Sequence, residues 1–199
     1  MLEQRREKFK RPENIMGEIF SKFFAPNQYT LMSLIFIIPA FYFLIKLNLI
    51  LALIFFLLAA LLDFIDGAVA KFTKKETKKG AYLDTICDRY VEGIILLGFL
   101  FLPLKEFFFL PAGIWIFLAL FGSFLTTYSK AAAKEKGLIE IEMKKGLLGR
   151  AERIILITLA MLLGIFNLSL IVYPIVILAV LSNLTAFQRI YLALRPSQN

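Results

Sequence analysis

Apolar residues fill six long stretches of the chain, and short polar or charged segments separate them. An apolar helix of about 20 residues is long enough to cross the hydrocarbon core of a bilayer. The pattern therefore predicts an all-α, polytopic membrane protein whose six transmembrane helices are Tyr29–Leu47, Ile50–Ala70, Tyr82–Leu102, Phe107–Ala133, Ala151–Leu168 and Ile171–Leu192. Prolines bend or end helices, and three lie in or beside these stretches: Pro39, Pro111 and Pro174. We expect residues 1–199 to form a single membrane-embedded domain.

The segment before the first stretch has a different pattern. Residues Glu13–Phe24 alternate apolar and polar side chains at helical spacing, with five apolar members on one side: Ile15, Ile19, Phe20, Phe23 and Phe24. This pattern is typical of a short amphipathic helix that lies in the membrane interface. No small-residue cleavage site follows the charged N-terminus, so we expect residues 1–25 to form a cytoplasmic, interfacial segment.

Composition and charge support a membrane protein and give it an orientation. At 59% apolar residues and a mean hydropathy of +0.75, the chain is too apolar for an ordinary soluble domain. The net charge is +8, and the basic residues lie at the ends of the apolar stretches. This placement favours anionic lipid headgroups over nucleic acid as a partner. Of the 23 Lys and Arg residues, only Lys46 and Lys105 lie in connections on one side of the predicted membrane. The other 21 lie on the opposite side. The positive-inside rule therefore predicts that both termini and the 71–89 and 130–153 regions face the cytoplasm.

The residue types present restrict the chemistry. The chain has no histidine and one cysteine, Cys87, so an internal disulfide is excluded and the commonest general base and transition-metal ligand is missing. We therefore expect carboxylates to carry any acid–base or metal chemistry. Its four aspartates all lie between positions 63 and 88, whereas its eleven glutamates are scattered.

The aspartates have the spacing of helix faces. Asp63 and Asp66 share one face of a helix, as do Asp84 and Asp88 on the next, and a short loop between two antiparallel helices would bring them together. Four carboxylates at one place repel one another and require cations. Oxygen ligands alone favour Mg²⁺ or Mn²⁺ over Zn²⁺. Glycines at 67 and 80 remove side chains beside the carboxylates, which would admit a phosphate or nucleotide, although helix packing would explain them equally well.

These residues form a longer pattern. Asp63-x2-Asp66-Gly67-x2-Ala70-Lys71-x8-Gly80-x3-Asp84-x3-Asp88 resembles the signature of the CDP-alcohol phosphotransferase family, D-x2-D-G-x2-A-R-x8-G-x3-D-x3-D, at seven of its eight fixed positions. Lys71 stands where the family has arginine, which keeps the charge and loses the bidentate fork. The stretch Pro26-Asn27-Gln28-Tyr29-Thr30 is similar to the Pro-Asn-x-x-Thr pattern that begins the family's first span.

The resemblance implies an enzyme of phospholipid biosynthesis that transfers a phosphoalcohol group from a CDP-linked donor to an acceptor hydroxyl and releases CMP. It implies two divalent ions held by Asp63, Asp66, Asp84 and Asp88, with Asp88 also acting as the general base. A second set of residues would line the pocket for cytidine and diphosphate: Asn27, Thr30, Asp66, Gly67, Ala70, Lys71 and Gly80. The family also implies a homodimer.

Two stretches, 84–89 and 149–153, resemble the branch that adds inositol phosphate to CDP-diacylglycerol or CDP-archaeol. A third, 128–133, is similar to a Tyr-x-Lys-Ala-Arg-Ala stretch of that branch, with Ala132 in place of the arginine. A phosphorylated acceptor requires cations, and the resemblance implies four: Lys130, Arg150, Arg153 and Arg89. Cations at cytoplasmic helix ends also orient membrane proteins without binding anything.

Other functions stay open at the level of sequence. The acceptor could be glycerol 3-phosphate, serine or another polyol, and the donor could be a soluble CDP-alcohol. Carboxylates within membrane helices also mark ion pathways, so a cation transporter is an alternative class. A non-catalytic scaffold with a structural metal site is the other.

Overall fold

A computed structural model of the chain describes residues 13–139 and 146–195. Within these ranges the secondary structure is helical, apart from one isolated bridge between Phe107 and Leu110. The helices are α1 at 13–20, α2 at Pro26–Ile45, α3 at Leu49–Phe72, α4 at Lys78–Phe99, α5 at Ala112–Glu135, α6 at Arg150–Phe166 and α7 at Val172–Leu194. A 3₁₀ turn, Leu168–Ile171, precedes α7. The all-α class is confirmed.

Each predicted span coincides with a helix, and local chemistry explains where the ends differ. Helix α2 begins at Pro26, whose fixed φ suits the first helical position. Helix α5 begins at Ala112, so the predicted start at Phe107 is wrong. Pro111 has extended backbone with φ −55° and ψ 142°, and Phe108 and Phe109 have positive φ, which interrupts a helix that the apolar pattern alone would continue.

Four helical stretches of the described chain are long and apolar enough to cross a membrane: α2, α3, α5 and Leu168–Leu194. Several apolar helices of this kind mark an integral membrane protein. Helix α4 falls outside the set because four charged residues lie within its middle turns. Helix α6 has 17 residues, at the lower end of the spanning range. The count of six spans and the interfacial placement of α1 remain predictions.

The described residues up to Phe43 form one compact unit with Leu51–Ile95. Its core contains Tyr29, Ile65 and Val69, and side chains of α1 pack against it. The Tyr29 hydroxyl donates a hydrogen bond to the carbonyl of Phe20 at 2.9 Å. A Cβ on Gly17 would lie 2.7 Å from the carbonyl oxygen of Ala68, so the glycine allows α1 to pack directly on the C-terminal part of α3.

Leu44–Ile50 and the described residues from Leu96 onward form the second unit. Helices α5 and α7 pack together through small and hydroxyl residues. The Thr126 hydroxyl donates to the carbonyl of Ser182 at 3.0 Å, and the Asn183 amide donates to the carbonyl of Leu118 at 2.8 Å. Close packing through small residues and interhelical hydrogen bonds is typical of helix pairs in membranes.

Candidate metal and nucleotide site

A tight turn brings the end of α3 next to the start of α4. Lys74 adopts a left-handed conformation with φ +54°, and the Lys75 N–H bonds to the carbonyl of Ala70 at 3.0 Å, which closes α3 as a Schellman motif does. The Thr77 hydroxyl accepts a hydrogen bond from the Gly80 N–H at 3.0 Å and caps α4. The two helices can therefore reverse direction over only five residues, 73–77.

Three aspartates of the first unit meet beside this turn. Carboxylate oxygens of Asp63, Asp66 and Asp84 lie within 4.8 Å of one another. Oxygen ligands of a six-coordinate Mg²⁺, bound at about 2.1 Å, are separated by about 3 to 4.2 Å, so only small side-chain movements separate this arrangement from a metal site. Asp66 is buried, and Asp63 and Asp84 are half-buried. An all-oxygen donor set of this kind fits Mg²⁺ or Mn²⁺.

A hydrogen bond from α2 holds one of these carboxylates. The Thr30 hydroxyl donates to Oδ2 of Asp66 at 2.6 Å, and both residues are buried at 3% and 5% exposure. A short hydrogen bond to an ionised carboxylate is strong and restricts rotation of the side chain. Thr30 therefore connects the Pro-Asn-x-x-Thr stretch to the aspartate cluster.

A cavity of about 170 Å³ opens beside the aspartates. All seven residues expected from the sequence to contact the donor line it: Asn27, Thr30, Asp66, Gly67, Ala70, Lys71 and Gly80. The remaining lining residues come from the same turn and helix ends and include Asp84. The cavity therefore lies next to the carboxylates that would hold metal.

The two glycines of the site have different surroundings. A Cβ on Gly67 would have no atom of a neighbouring segment or side chain within 4 Å, so helix packing does not require this glycine. A Cβ on Gly80 would lie 3.1 Å from Oδ1 of Asn27 and from Oγ1 of Thr77, closer than such contacts usually are. Gly80 thus lets α2 approach the start of α4, whereas Gly67 leaves space in the cavity.

Lys71, the residue that departs from the family signature, pairs with α1. Its Nζ lies 3.3 Å from Oε2 of Glu13, and the side chains of Lys71 and Glu13 are 57% and 30% exposed. An exposed pair of this kind contributes at most about 1 kcal/mol, so a polyanionic ligand could replace Glu13 at little cost.

The fourth aspartate has a separate partner. Asp88 is buried one turn beyond Asp84 on α4, and its Oδ2 lies 3.8 Å from Nη2 of Arg89. The same Nη2 lies 3.3 Å from Oε2 of Glu92. Arg89, which the sequence assigned to the acceptor phosphate, is thus held between two carboxylates of its own helix with 11% of its side chain exposed.

The other three predicted acceptor cations belong to the second unit. Arg150 and Arg153 share the first turn of α6, and Lys130 lies near the end of α5. Arg153 is buried at 3% exposure, which is unusual for arginine. The carboxylate of Glu152 lies next to the N-terminal cap residue Gly149, since a Cβ there would be 2.7 Å from its Oε2. A negative charge at this end of a helix interacts favourably with the helix dipole.

The structure also brings forward two charged residues that the sequence reasoning missed. Glu92 is buried and continues the four-residue spacing of Asp84 and Asp88. Arg189 of α7 is half-buried and donates to the carbonyl of Thr126 at 2.7 Å. Both lie inside predicted spans, and an ionisable residue inside a membrane segment is the signal that would have found them.

The chain is similar to known proteins in both sequence and fold. The sequence profile of the CDP-alcohol phosphatidyltransferase family matches residues 23–187. Archaetidylinositol phosphate synthase of Pyrococcus horikoshii is 34% identical over 194 residues, which cover 96% of this chain and 95% of that protein.

Two solved structures share the fold. The crystal structure of Mycobacterium tuberculosis phosphatidylinositol phosphate synthase with CDP-DAG bound superposes with a TM-score of 0.78 at 23% identity, covering 94% of this chain and 96% of that one. The same enzyme in complex with manganese and citrate gives a TM-score of 0.77 at 22% identity, covering 93% and 90%.

Proposed function

Since this chain belongs to the CDP-alcohol phosphatidyltransferase family, we propose that its α3–α4 site transfers a phosphoalcohol group from a CDP-linked lipid to a phosphorylated polyol, inositol 1-phosphate. As a member of that family the chain is a membrane-bound transferase of phospholipid synthesis. One observation supports placing the reaction there. Carboxylate oxygens of Asp63, Asp66 and Asp84 lie within 4.8 Å of one another, beside a cavity lined by the residues predicted to contact the donor.

In this proposal the cavity receives the cytidine and diphosphate of the donor. Gly67 leaves space for the diphosphate next to Asp66, and Lys71 exchanges its exposed partner Glu13 for phosphate oxygens. Asn27 and Gly80 form the wall where α2 meets α4. Divalent ions bound by the aspartates would neutralise the charge that develops on the departing CMP.

In this proposal Asp88 is the general base. The acceptor hydroxyl oxygen attacks the phosphorus that carries the lipid alcohol, the bond from that phosphorus to the CMP oxygen breaks, and Asp88 takes the hydroxyl proton. Asp88 would also join Asp63, Asp66 and Asp84 in holding divalent ions, and the number of ions, two, is part of this proposal.

The choice of acceptor rests on charge and on relatives. Lys130, Arg150 and Arg153 supply cations suited to a phosphate group. Archaetidylinositol phosphate synthase and phosphatidylinositol phosphate synthase, both similar to this chain, are named for inositol phosphate lipids. The second of these was solved with CDP-DAG bound, which supports CDP-diacylglycerol or CDP-archaeol as the donor class.

We further propose six spans with both termini and the active site in the cytoplasm, α1 lying in the interface, residues 1–199 acting as one domain, and a homodimer. Exposed apolar residues of α1 and of the turn after it, Ile15, Ile19 and Phe23, fall at four-residue intervals and suit the membrane surface. Light scattering of the detergent-solubilised protein would measure the number of chains in the assembly.

The decisive experiment is CMP release by the purified protein with CDP-archaeol or CDP-diacylglycerol, Mg²⁺, and each of inositol 1-phosphate, glycerol 3-phosphate, serine and inositol. We expect turnover with inositol 1-phosphate and its near loss in Asp88→Asn. Glu135→Gln, an exposed neutralisation at the end of α5, is the matched control and should turn over as the wild type does.

Two results would contradict the proposal at different levels. Turnover with only serine or inositol would refute the phosphorylated acceptor and leave the reaction class intact. Mg²⁺ binding without CMP release from any donor and acceptor would refute the enzyme and favour the cation transporter.

A further inference from the structure

A buried ion pair lies next to the proposed general base. Arg89 and Glu92 are one helical turn apart on α4, their side chains are 11% and 8% exposed, and the Nη2 to Oε2 distance is 3.3 Å. The same nitrogen reaches Oδ2 of Asp88 at 3.8 Å. Arg89 therefore forms an ion pair with each carboxylate, and the 3.8 Å distance from its Nη2 to Oδ2 of Asp88 is too long for a hydrogen bond.

The pairing of Arg89 with Glu92 determines how much charge α4 adds to the site. Arg89 and Glu92 together are neutral, so the pair adds no net charge to a site whose four aspartates would match two divalent ions. Without Glu92, the guanidinium would be free to move onto Asp88 and compete with a metal ion for its oxygens. Without Arg89, Glu92 would be a further buried carboxylate that repels the cluster.

We propose that Arg89 is a positioning residue: its guanidinium, anchored by Glu92, holds Oδ2 of Asp88 so that the other oxygen is fixed for the reaction. This inference rests on the proposed function of Asp88. A planar guanidinium can contact two carboxylates at once, which a lysine ammonium does less rigidly. Groups that orient metal ligands or bases from behind commonly change affinity or activity by about 10- to 100-fold when removed.

This role differs from the one that the sequence assigned to Arg89. An arginine that binds the acceptor phosphate must present its fork to the substrate, and its loss raises the KM for the acceptor. An arginine that orients Asp88 leaves that KM unchanged and lowers kcat. The two roles therefore separate in steady-state kinetics.

The test is the double variant Arg89→Met, Glu92→Leu, which removes both charges together. Removing one partner would leave a buried charge unpaired and destabilise the fold, whereas replacing both with apolar residues of similar size is commonly tolerated. Its matched control removes the exposed pair Glu135 and Lys136, which are 3.1 Å apart at the end of α5. CMP release, Mn²⁺ affinity by electron paramagnetic resonance and the unfolding midpoint in detergent are measured for each.

We expect the double variant to keep the wild-type unfolding midpoint, with kcat lowered about 10- to 100-fold, Mn²⁺ affinity weakened, and the KM for the acceptor unchanged. In an Asp88→Asn background, where turnover is nearly lost, the same change should have no further effect on Mn²⁺ affinity, because it acts through Asp88. A wild-type kcat in the folded double variant overturns the proposal, as does a raised acceptor KM with kcat retained.

If the double variant does not fold, Arg89→Lys tests the proposal instead. Lysine keeps a positive charge next to Glu92 and lacks the planar, two-pronged guanidinium. A kcat lowered about tenfold supports positioning, and a wild-type kcat overturns it. The wild-type protein is the reference for the function itself. If it binds Mn²⁺ and releases no CMP, the proposed function fails, and the effect of the double variant on Mn²⁺ affinity still tests the positioning of Asp88.

Discussion

The hydrogen bond between α2 and α3 gives the sharpest prediction. Thr30→Val replaces the hydroxyl by a methyl group of nearly the same size and leaves Oδ2 of Asp66 without the 2.6 Å bond. Because both residues are buried, water does not readily replace the lost donor. We expect Asp66 to become less well oriented and the protein to need more Mg²⁺ for the same rate.

The size of the effect follows from the bond. A hydrogen bond to a charged group contributes about 1.5 to 3 kcal/mol. A factor of ten in an equilibrium constant corresponds to about 1.4 kcal/mol. If the whole energy of the bond were lost from metal binding, the half-saturating Mg²⁺ concentration would rise by about 10- to 150-fold. Measured losses of groups that orient metal ligands, about 10- to 100-fold, lie in the same range.

The assay is CMP release against Mg²⁺ concentration, with two controls on α2. Thr30→Ser keeps the hydroxyl and should restore the wild-type requirement. Ser33→Ala removes a fully buried hydroxyl that donates to the carbonyl of Thr30 at 2.7 Å, so it should leave the requirement unchanged. A folded Thr30→Val protein with the wild-type Mg²⁺ requirement, or one whose only change is a higher KM for the donor, would refute this reasoning.

Three further predictions concern the cavity, the helix packing and the metal. Gly67→Leu should keep the unfolding midpoint, because a Cβ there meets no neighbouring segment, and should raise the donor KM about tenfold or more by occupying the cavity; a wild-type KM would contradict the position given to the diphosphate. Gly122→Val should lower stability by about 1 to 3 kcal/mol, since its Cβ would lie 2.5 Å from Oγ of Ser182, and an unchanged midpoint in thermal unfolding would contradict the close packing of α5 on α7. Chelation with EDTA should abolish CMP release and lower the unfolding midpoint, because an ion present at 100 times its Kd stabilises the folded state by about 2.7 kcal/mol; equal midpoints with and without Mg²⁺ would count against a metal site.

Much of the site could be predicted because it is local in sequence. The spacing of Asp63 to Asp66 is set by one helix, the spacing of Asp84 to Asp88 by the next, and the connection is too short to separate them. The residues expected to contact the donor line one cavity, since four of the seven lie on the last two turns of α3. The family assignment made from this pattern is confirmed.

The remaining features depend on contacts that the pattern does not contain. The bond from Thr30 to Asp66 joins residues 36 positions apart, and nothing in the apolar periodicity specifies it. The partners of Arg89 were missed because a basic residue near a loop that is predicted to be cytoplasmic has an ordinary topological explanation. The start of α5 was misplaced because Phe108 and Phe109 are as apolar as a span, and only their positive φ values show that they form a turn.

The charges of α4 affect how the protein is made. If α4 crosses the membrane as proposed, Asp88, Arg89 and Glu92 oppose its insertion as an isolated helix, since a charge at a helix centre costs about 2.5 to 3.5 kcal/mol. Helix α3, by contrast, has a mean hydropathy of 2.6 and inserts readily. On that proposal we expect α3 to insert first and to retain α4 as the second arm of a hairpin, and we expect a chain without α3 to leave α4 on the aqueous side.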